Sequence, residues 1–138
     1  MTAIGIIPSR YCSSRFPGKP LKNILGKSMI QRVYEQAMKS KLDKVIVATD
    51  DQRIFNEVLS FDGEVVMTSS KHINGTERCL EAIQKINSKH KIIINIQGDE
   101  PFINPAQINQ LIDSFEDEKI EIITLAKRIE SEEIFFDP

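Results

Sequence analysis

One loop near the N-terminus holds a dense group of cationic and hydroxyl side chains. It runs from Pro8 to Pro20, reads PSRYCSSRFPGKP and directly follows a short apolar stretch. Phosphate binding needs this combination, because backbone N–H groups must approach the ligand closely while Arg or Lys neutralises its charge. A solvated basic loop without a ligand fits the composition equally well. The residues that would contact phosphate are Arg10, Ser13, Ser14, Arg15 and Lys19.

A second candidate is the acidic turn Gln97-Gly98-Asp99-Glu100-Pro101, which follows the most apolar stretch of the chain. Proteins commonly hold Mg²⁺ through one or two carboxylates together with substrate phosphates. The Asp99 carboxylate would therefore suit a magnesium ion if this turn faces the cationic loop. The alternative is a plain turn with a helix cap, which most Asp-Glu-Pro sequences form. Asp50-Asp51 has the same two interpretations, and for this pair capping is favoured.

The third candidate, Asn74-Gly75-Thr76-Glu77-Arg78, begins a predicted helix. Gly75 would let a ligand approach the backbone closely, and the first N–H groups of a helix have no partners within that helix. In the alternative interpretation, Asn74 or Thr76 only caps the helix and Arg78 lies on the surface. The sequence pattern leaves both interpretations open.

Other common types of site do not fit the sequence. Gly26-Lys27-Ser28 matches the end of a nucleotide P-loop, but Leu21 occupies the position of the required earlier glycine. No Gly-x-Gly-x-x-Gly motif for a dinucleotide occurs. His72 and His90 have no Cys or His at metal-ligand spacing, so both are predicted to be surface residues. Cys79 is predicted to lie in the core, and no Ser–His or Cys–His pairing indicates nucleophilic catalysis.

Alternating strands and helices must position these three candidates. Short apolar runs predict strands at residues 3–7, 45–48, 64–67, 92–96 and 120–125. Helical spacing predicts helices at residues 29–38, around 54–59, at 76–86 and at 106–115, and it places Cys79, Leu80, Ile83 and Ile86 on one face. Such alternation predicts a parallel α/β sheet with right-handed crossovers and helices on both faces. Ligands bind at the carboxyl ends of such strands, so the loops after Ile7, Ala48 and Ile96 should line one crevice.

Composition restricts the class of protein further. The 138 residues are 41% hydrophobic and 28% charged, which is typical of one globular domain. Eighteen Lys and Arg nearly balance twenty Asp and Glu, so no net charge favours nucleic acid or a membrane surface. No stretch approaches the roughly 18 apolar residues of a membrane span. Two cysteines make no disulfide framework. These features predict a cytoplasmic protein with reduced thiols.

The motifs resemble those of the cytidylyltransferases that activate 3-deoxy-D-manno-octulosonate (Kdo), the CMP-Kdo synthetases. The most specific part is Gly-Thr-Glu-Arg followed, after a helix and a strand, by Gln-Gly-Asp-Glu-Pro. The resemblance covers the whole chain. Its matching segments are Ile7-Pro8-Ser9-Arg10 with residues 13–21, Ala48-Thr49-Asp50-Asp51, Gly75-Thr76-Glu77-Arg78 and Gln97-Gly98-Asp99-Glu100-Pro101.

That resemblance implies a three-layer, Rossmann-like nucleotide-diphospho-sugar transferase fold with a mainly parallel sheet. It implies the transfer of CMP from CTP to Kdo with release of pyrophosphate, assisted by Mg²⁺, in the cytoplasm and for lipopolysaccharide biosynthesis. A homodimer is implied for the full-length family. The implied roles are triphosphate binding by Arg10, Ser13, Ser14, Arg15 and Lys19, metal binding by Asp99, and contacts to the base or sugar by Gly75, Arg78 and Gln97.

Some features depart from the family pattern. Small departures are Ser9, Ser14, Phe16 and Asn74, where the family more often has Ala, Thr, Leu and Ser. The larger one is length, because family members continue well beyond residue 138. Residues 1–138 are therefore expected to be the nucleotide-binding part of one truncated cytidylyltransferase domain. The alternatives are a cytidylyltransferase for another 2-keto acid sugar such as sialic acid, and a non-catalytic CTP-binding or interaction protein.

Overall fold

The computed structural model describes residues 2–12, 17–72 and 74–114, together with the backbone of 121–125. A short 3₁₀ helix, Lys19–Leu21, follows the first strand and its loop. The other elements, in chain order, are β1 (Ala3–Ser9), β2 (Asn23–Ile24), β3 (Lys27–Ser28), α1 (Met29–Met38), β4 (Lys44–Thr49), α2 (Gln52–Ser60), β5 (Val65–Met67), α3 (Gly75–Ile86), β6 (Ile92–Ile96), α4 (Pro105–Asp113) and β7 (Glu121–Leu125).

Five of these strands form one parallel sheet in the order β5-β4-β1-β6-β7. The central position belongs to β1, where Gly5 lies opposite Val45 of β4 and Ile94 of β6. The chain builds outward from β1 to β5 and then returns across the sheet to β6, so the strand order reverses between β1 and β6. Ligands of open α/β sheets bind outside the carboxyl ends at such a reversal. The predicted parallel α/β sheet is confirmed.

Helices cover both faces of the sheet and produce three layers. Side chains of α1, α2 and α4 pack in one apolar cluster with Ile7 and Ile94, whereas α3 packs on the opposite face against Ile4, Ile6 and Ile93. The two faces alternate along each strand because successive strand side chains point in opposite directions. Gly5 is needed in this core, since a Cβ there would lie 2.7 Å from Leu42 Cδ1 and 2.9 Å from Ile96 Cδ1.

Side-chain caps explain where the helices begin. Asp51 accepts hydrogen bonds from the backbone N–H groups of Arg53 and Ile54, and Asn74 accepts one from Glu77 N–H. Both caps satisfy N–H groups that have no partner inside the helix. Capping by Asp51 and by Asn74 is therefore confirmed.

The structure corrects two local predictions. Leu80 is 44% exposed rather than part of the apolar face of α3. Successive residues of a helix are about 100° apart around its axis, so Leu80 points away from the face on which Cys79 is buried. The inward face is instead formed by Cys79, Ala82, Ile83 and Ile86. The hairpin formed by β2 and β3 was missed, since each strand has only two residues.

That hairpin settles the P-loop question. Gly26 has a φ of 96° in the turn between the two antiparallel strands, and Ser28 caps α1 by accepting from Gln31 N–H. A P-loop would instead join a strand of the main sheet to a helix. The rejection of a P-loop at this position is confirmed. None of the helices in the described part of the chain has the length and apolar character that a membrane span requires.

Candidate functional site

Two of the predicted site residues meet at the reversal of strand order. Lys19 lies at the end of the cationic loop, where it begins the 3₁₀ helix, and Asp99 lies in the turn after β6. The Lys19 Nζ atom is 3.5 Å from Asp99 Oδ2, although 80 positions separate the two residues in sequence. Both side chains are partly exposed, at 41% and 43%. The predicted approach of the acidic turn to the cationic loop is therefore confirmed, and both charges remain open to a ligand.

The two ends of the cationic loop are held together at its base. Gly18 N–H donates to the Tyr11 carbonyl over 2.7 Å, and Gly18 has a φ of 75° that favours glycine. This closure fixes the positions at which Arg10, exposed, leaves the sheet and Lys19 begins the next element. The predicted phosphate contacts Ser13, Ser14 and Arg15 lie outside the described residues.

Two glycines allow the start of α3 and the turn after β6 to press against the end of β1. A Cβ on Gly75 would lie 3.1 Å from Pro8 Cγ, and one on Gly98 would lie 3.1 Å from Ser9 Oγ and 3.2 Å from the Pro8 carbonyl oxygen. Ordinary side chains rarely approach so closely. Gly75 meets Pro8 and Asn95 on the face of the sheet that α3 covers, whereas Gly98 meets Ser9 and Ile7 on the opposite face.

Two polar side chains near the carboxyl ends of β1 and β6 are buried, one on each face of the sheet. Ser9 and Asn95 are each 4% exposed. Within the described part of the chain, Ser9 Oγ and Asn95 Oδ1 have no hydrogen-bond partner. Buried polar atoms are nearly always paired in native proteins, so each of these two atoms is expected to meet a polar ligand or a bound water molecule. Asn95 was not predicted as a site residue, and its one signal in the sequence is a single polar residue inside the run IIINI.

Arg78 is buried rather than exposed, which corrects the alternative that placed it on the surface. Only 1% of its surface is accessible. Its Nη1 donates to Thr68 Oγ1 over 2.5 Å and to the Ser69 carbonyl over 3.0 Å, while Nη2 lies 3.6 Å from Asp50 Oδ2. Burial lowers the pKa of Arg78, an effect opposed by the Asp50 carboxylate and reinforced by the nearby charge of Arg10. Arg78 thereby joins the end of β4 to the segment before α3.

The carboxylate of Glu81, on α3, also binds the segment that precedes this helix. Glu81 accepts from Ser69 N–H over 2.9 Å, contacts His72 Nε2 at 2.5 Å and pairs with Lys85 at 3.0 Å. These contacts, the Ser69 hydrogen bond first, lower the pKa of Glu81 to about 2. His72 is therefore half-buried and paired, not the surface residue predicted. No group of three or more His, Cys, Asp or Glu side chains with metal-binding geometry occurs among the residues described.

Replacing Glu81 by Gln is expected to remove a pH-dependent part of the stability. A carboxyl group with a lowered folded-state pKa stabilises the protein above its unfolded pKa of about 4.5, and this contribution is lost as the pH falls towards about 2. Hydrogen bonds to a charged group contribute about 1.5–3 kcal/mol. The difference in unfolding free energy between wild type and Glu81→Gln should therefore be about 2 kcal/mol at pH 6 and shrink between pH 4.5 and 2.

Urea unfolding across this pH range measures that difference. Glu64→Gln is the matched control, because Glu64 also pairs with a lysine, Lys44 at 3.1 Å, but is more exposed. Exposed ion pairs contribute little, so this control should change stability by less than about 1 kcal/mol. A Glu81→Gln difference that is the same at pH 2 and pH 6 would show that the Glu81 charge does not hold the segment.

The chain matches known proteins along its whole length. A family model described as cytidylyltransferase matches residues 4–138. The 3-deoxy-manno-octulosonate cytidylyltransferase of Parabacteroides distasonis is 57% identical over 98% of this chain and 53% of that protein. The protein of the same name from Cytophaga hutchinsonii is 52% identical over 100% of this chain and 55% of that protein. The chain thus spans about half the length of these curated relatives.

A solved structure agrees with these matches. It is that of CMP:2-keto-3-deoxy-manno-octonic acid synthetase complexed with CTP, with a TM-score of 0.79 and 45% sequence identity over 83% of this chain and 47% of that chain. The expected three-layer nucleotide-diphospho-sugar transferase fold is thereby confirmed. With a family model that matches nearly every residue and relatives of more than half identity, the chain belongs to the cytidylyltransferase family.

Proposed function

We propose that this chain binds CTP and forms the nucleotide-binding part of an enzyme that transfers CMP to Kdo and releases pyrophosphate. The observation that carries the proposal is the approach of Lys19 to Asp99, at 3.5 Å, in a member of the cytidylyltransferase family. It brings a cation for phosphate and a carboxylate for a metal to the same edge of the sheet. The names of the relatives support CTP and Kdo as the two substrates.

Phosphate binding falls to the cationic loop. In the reaction, the anomeric hydroxyl of Kdo attacks the α-phosphate of CTP and pyrophosphate leaves from the opposite side. Such a transfer depends on positioning and on neutralising phosphate charge more than on covalent help from the protein. Arg10, Arg15 and Lys19 would supply positive charge, and Ser13 and Ser14 would supply hydroxyl or backbone N–H donors.

The residues at the acidic turn fit a magnesium ion that arrives with the nucleotide. Asp99 offers a carboxylate that is 43% exposed and is paired with Lys19. A single carboxylate suits Mg²⁺ when phosphate oxygens and water complete the shell. When bound, the ion would neutralise charge on the phosphates of CTP. Asp99 would be its protein ligand among the described residues, and Lys19 would remain beside it to contact the triphosphate.

The nucleoside would lie beside the start of α3. Asn95 Oδ1, which is buried on the face of the sheet that α3 covers and has no partner in the described part of the chain, would accept a hydrogen bond from it. Gly75 in the first turn of α3 and Gln97 after β6 would contact its base or sugar. Buried Arg78 would hold the segment before α3 through Thr68 and Ser69. A pyrimidine is expected rather than a purine, because the matching family and the relatives are named cytidylyltransferases.

We also place the activity in the cytoplasm and its product in lipopolysaccharide assembly, as the resemblance to CMP-Kdo synthetases implies. A homodimer is part of the same proposal. Sedimentation of this chain, and of any longer form of it, tests the dimer.

A pyrophosphate-release assay tests the proposed reaction. The chain and a longer form are each incubated with CTP, Mg²⁺ and a panel of 2-keto sugar acids, with ATP in place of CTP as the comparison. Release that requires both CTP and Kdo supports the proposal. Release with sialic acid instead would assign a related sugar. Equal binding of ATP and CTP would count against a cytidine site.

Lys19→Ala is expected to weaken CTP binding by roughly 10- to 100-fold. A charge-assisted contact to phosphate contributes about 1.5–3 kcal/mol, and the alanine variant removes it. Lys19→Arg should restore only part of the affinity, because a planar guanidinium replaces a compact ammonium. Arg15→Ala should act in the same direction. Calorimetric titration with CTP in the presence of Mg²⁺ measures these affinities.

Lys91→Ala is the matched control for these titrations. Lys91 is exposed and precedes β6, so it lies at the opposite end of that strand from the acidic turn. Its replacement should leave the CTP affinity unchanged. Equal affinities for wild type, Lys19→Ala and Arg15→Ala would show that the cationic loop is only a solvated surface.

A further inference from the structure

We propose that Arg53, at the start of α2, is a positioning residue for the cationic loop and acts on it through Tyr11. The inference rests on the proposed function, because it concerns the loop that would hold the triphosphate of CTP. It assigns a role to a residue outside the motifs that suggested the site. A continuous set of contacts leads from the cap of α2 to Lys19.

The first step of this set fixes the guanidinium of Arg53. Asp51 Oδ1 accepts from Arg53 Nε over 3.1 Å, and Asp51 Oδ2 accepts from Nη2 over 2.9 Å. The same carboxylate caps α2 by accepting from the backbone N–H groups of Arg53 and Ile54. A bidentate pair restricts the orientation of the guanidinium plane as well as its position. Arg53 is thus held although its side chain is 57% exposed.

The second step transmits this orientation to the loop. The Arg53 Cζ atom lies 3.3 Å from the centre of the Tyr11 ring, so the guanidinium covers one face of the ring. Tyr11 also packs against the apolar cluster formed with α1, α2 and α4. The ring is therefore confined between Arg53 and the core. A leucine at position 11 would lose the flat surface that a guanidinium can cover.

The third step joins Tyr11 to Lys19. The Tyr11 carbonyl accepts from Gly18 N–H over 2.7 Å, and a Cβ on Gly18 would lie only 2.9 Å from Tyr11 Cε2. Leu21 N–H then donates to the Gly18 carbonyl over 2.9 Å and begins the 3₁₀ helix. The position of Lys19, and with it the approach to Asp99, follows from where the Tyr11 ring and carbonyl are held. Arg53 would hold Tyr11 and Gly18 together before the ligand arrives, which reduces the ordering cost of binding.

Titration of the chain with CTP and with inorganic tripolyphosphate tests this role. Arg53→Gln and Tyr11→Leu should each weaken both ligands about tenfold, while Tyr11→Phe, which keeps the ring, should bind like wild type. Arg53→Lys should restore affinity only in part, since an ammonium cannot pair with Asp51 in two places and also cover the ring. Gln52→Ala is the control on the same helix, because the side chain of Gln52 donates a hydrogen bond to Asn56 and has none to Tyr11 or Asp51 within the described part of the chain.

Hydrogen exchange of the Gly18 amide provides a readout without a ligand. It should be about tenfold faster in Arg53→Gln than in wild type or Gln52→Ala, with melting temperatures within about 2 °C of one another. Unchanged Gly18 exchange in Arg53→Gln overturns the inference. Wild-type affinity of that variant for tripolyphosphate overturns it as well. Wild-type binding of tripolyphosphate without binding of CTP overturns the proposed function instead, and the Gly18 comparison still decides the role of Arg53.

Discussion

Asp99→Asn is expected to abolish CMP transfer while leaving the ligand-free protein as stable as wild type. The Asp99 side chain is 43% exposed and forms an ion pair with Lys19, whose Nζ atom lies 3.5 Å from Asp99 Oδ2. Exposed pairs of this kind contribute little to folding. Asparagine has nearly the same size, yet its neutral amide oxygen is a much poorer ligand for the hard Mg²⁺ ion than a carboxylate. Loss of such a preorganised charge costs about 10²–10³-fold in rate or more.

Two measurements check this expectation. In any form of the protein that carries out the proposed reaction, CMP-Kdo formation should fall by at least about 10²-fold. In the present chain, CTP and Mg²⁺ together should raise the melting temperature of wild type through linkage, and Asp99→Asn should lose this additional stabilisation. Asp113→Asn is the matched control, because Asp113 is also an exposed carboxylate paired with a lysine, Lys41. Asp113 ends α4 and lies away from the sheet end that holds Asp99.

A different pattern would assign Asp99 a structural role. In that pattern, Asp99→Asn lowers the ligand-free melting temperature and keeps the Mg²⁺-dependent increase. The metal ligand would then have to be another carboxylate. Asp50 and Asp51 are the next acidic residues of the motifs, but Asp50 already faces Arg78 and Asp51 caps α2 and pairs with Arg53. Each of these contacts would have to be broken before the carboxylate could bind a metal ion.

The order of elements could be predicted from the sequence because each strand has a local signal. Residues 92–96 form an uninterrupted apolar run that ends in a glycine-containing turn, and they became β6. The position of β1 at the centre of the sheet has no such signal. Hydrophobic periodicity reports which face of an element is buried, but it does not report which strands are neighbours. The hairpin β2–β3 was not predicted for a related reason: a strand of two residues is too short to show the alternation of apolar and polar side chains.

The candidate site could be predicted where a general rule connects distant segments. Lys19 and Asp99 follow two different strands, and the rule that carboxyl ends of parallel strands share one edge brought them together. No such rule applied to Arg78, whose partners Thr68 and Asp50 come from segments without a fixed spacing. Arginine is also almost never fully buried unless it is paired. Asn95 was predicted only as part of an apolar strand. Its burial beside Gly75, with Oδ1 unpartnered among the described residues, became visible only in the structure.

Arg78→Met is expected to destabilise the chain by about 3–5 kcal/mol, because it removes one partner of a buried charged network. Methionine fills a similar length but donates no hydrogen bonds. Thr68 Oγ1 and the Ser69 carbonyl would lose their donor, and the Asp50 carboxylate would keep its charge without the guanidinium at 3.6 Å. For a chain of this size the melting temperature should fall by roughly 10 °C or more.

Thermal and urea unfolding of three further variants separate the causes. Arg78→Lys keeps the charge but cannot span all three acceptors, so it should recover only part of the loss. Asp50→Asn combined with Arg78→Met removes the unpaired carboxylate and should be more stable than Arg78→Met alone. Lys85→Met is the control on the same helix; Lys85 is 49% exposed, so its replacement should cost less than about 1 kcal/mol.

The same double variant distinguishes support of the fold from contact with the nucleotide. If Arg78 acts only through the stability of the fold, CTP affinity should rise with stability when Asp50→Asn is added to Arg78→Met. If Arg78 also faces the nucleotide, affinity should stay low in the stabilised double variant, since the guanidinium is still missing. Equal stability of Arg78→Met and Lys85→Met would contradict both possibilities, because a buried guanidinium that connects two segments cannot be removed without cost.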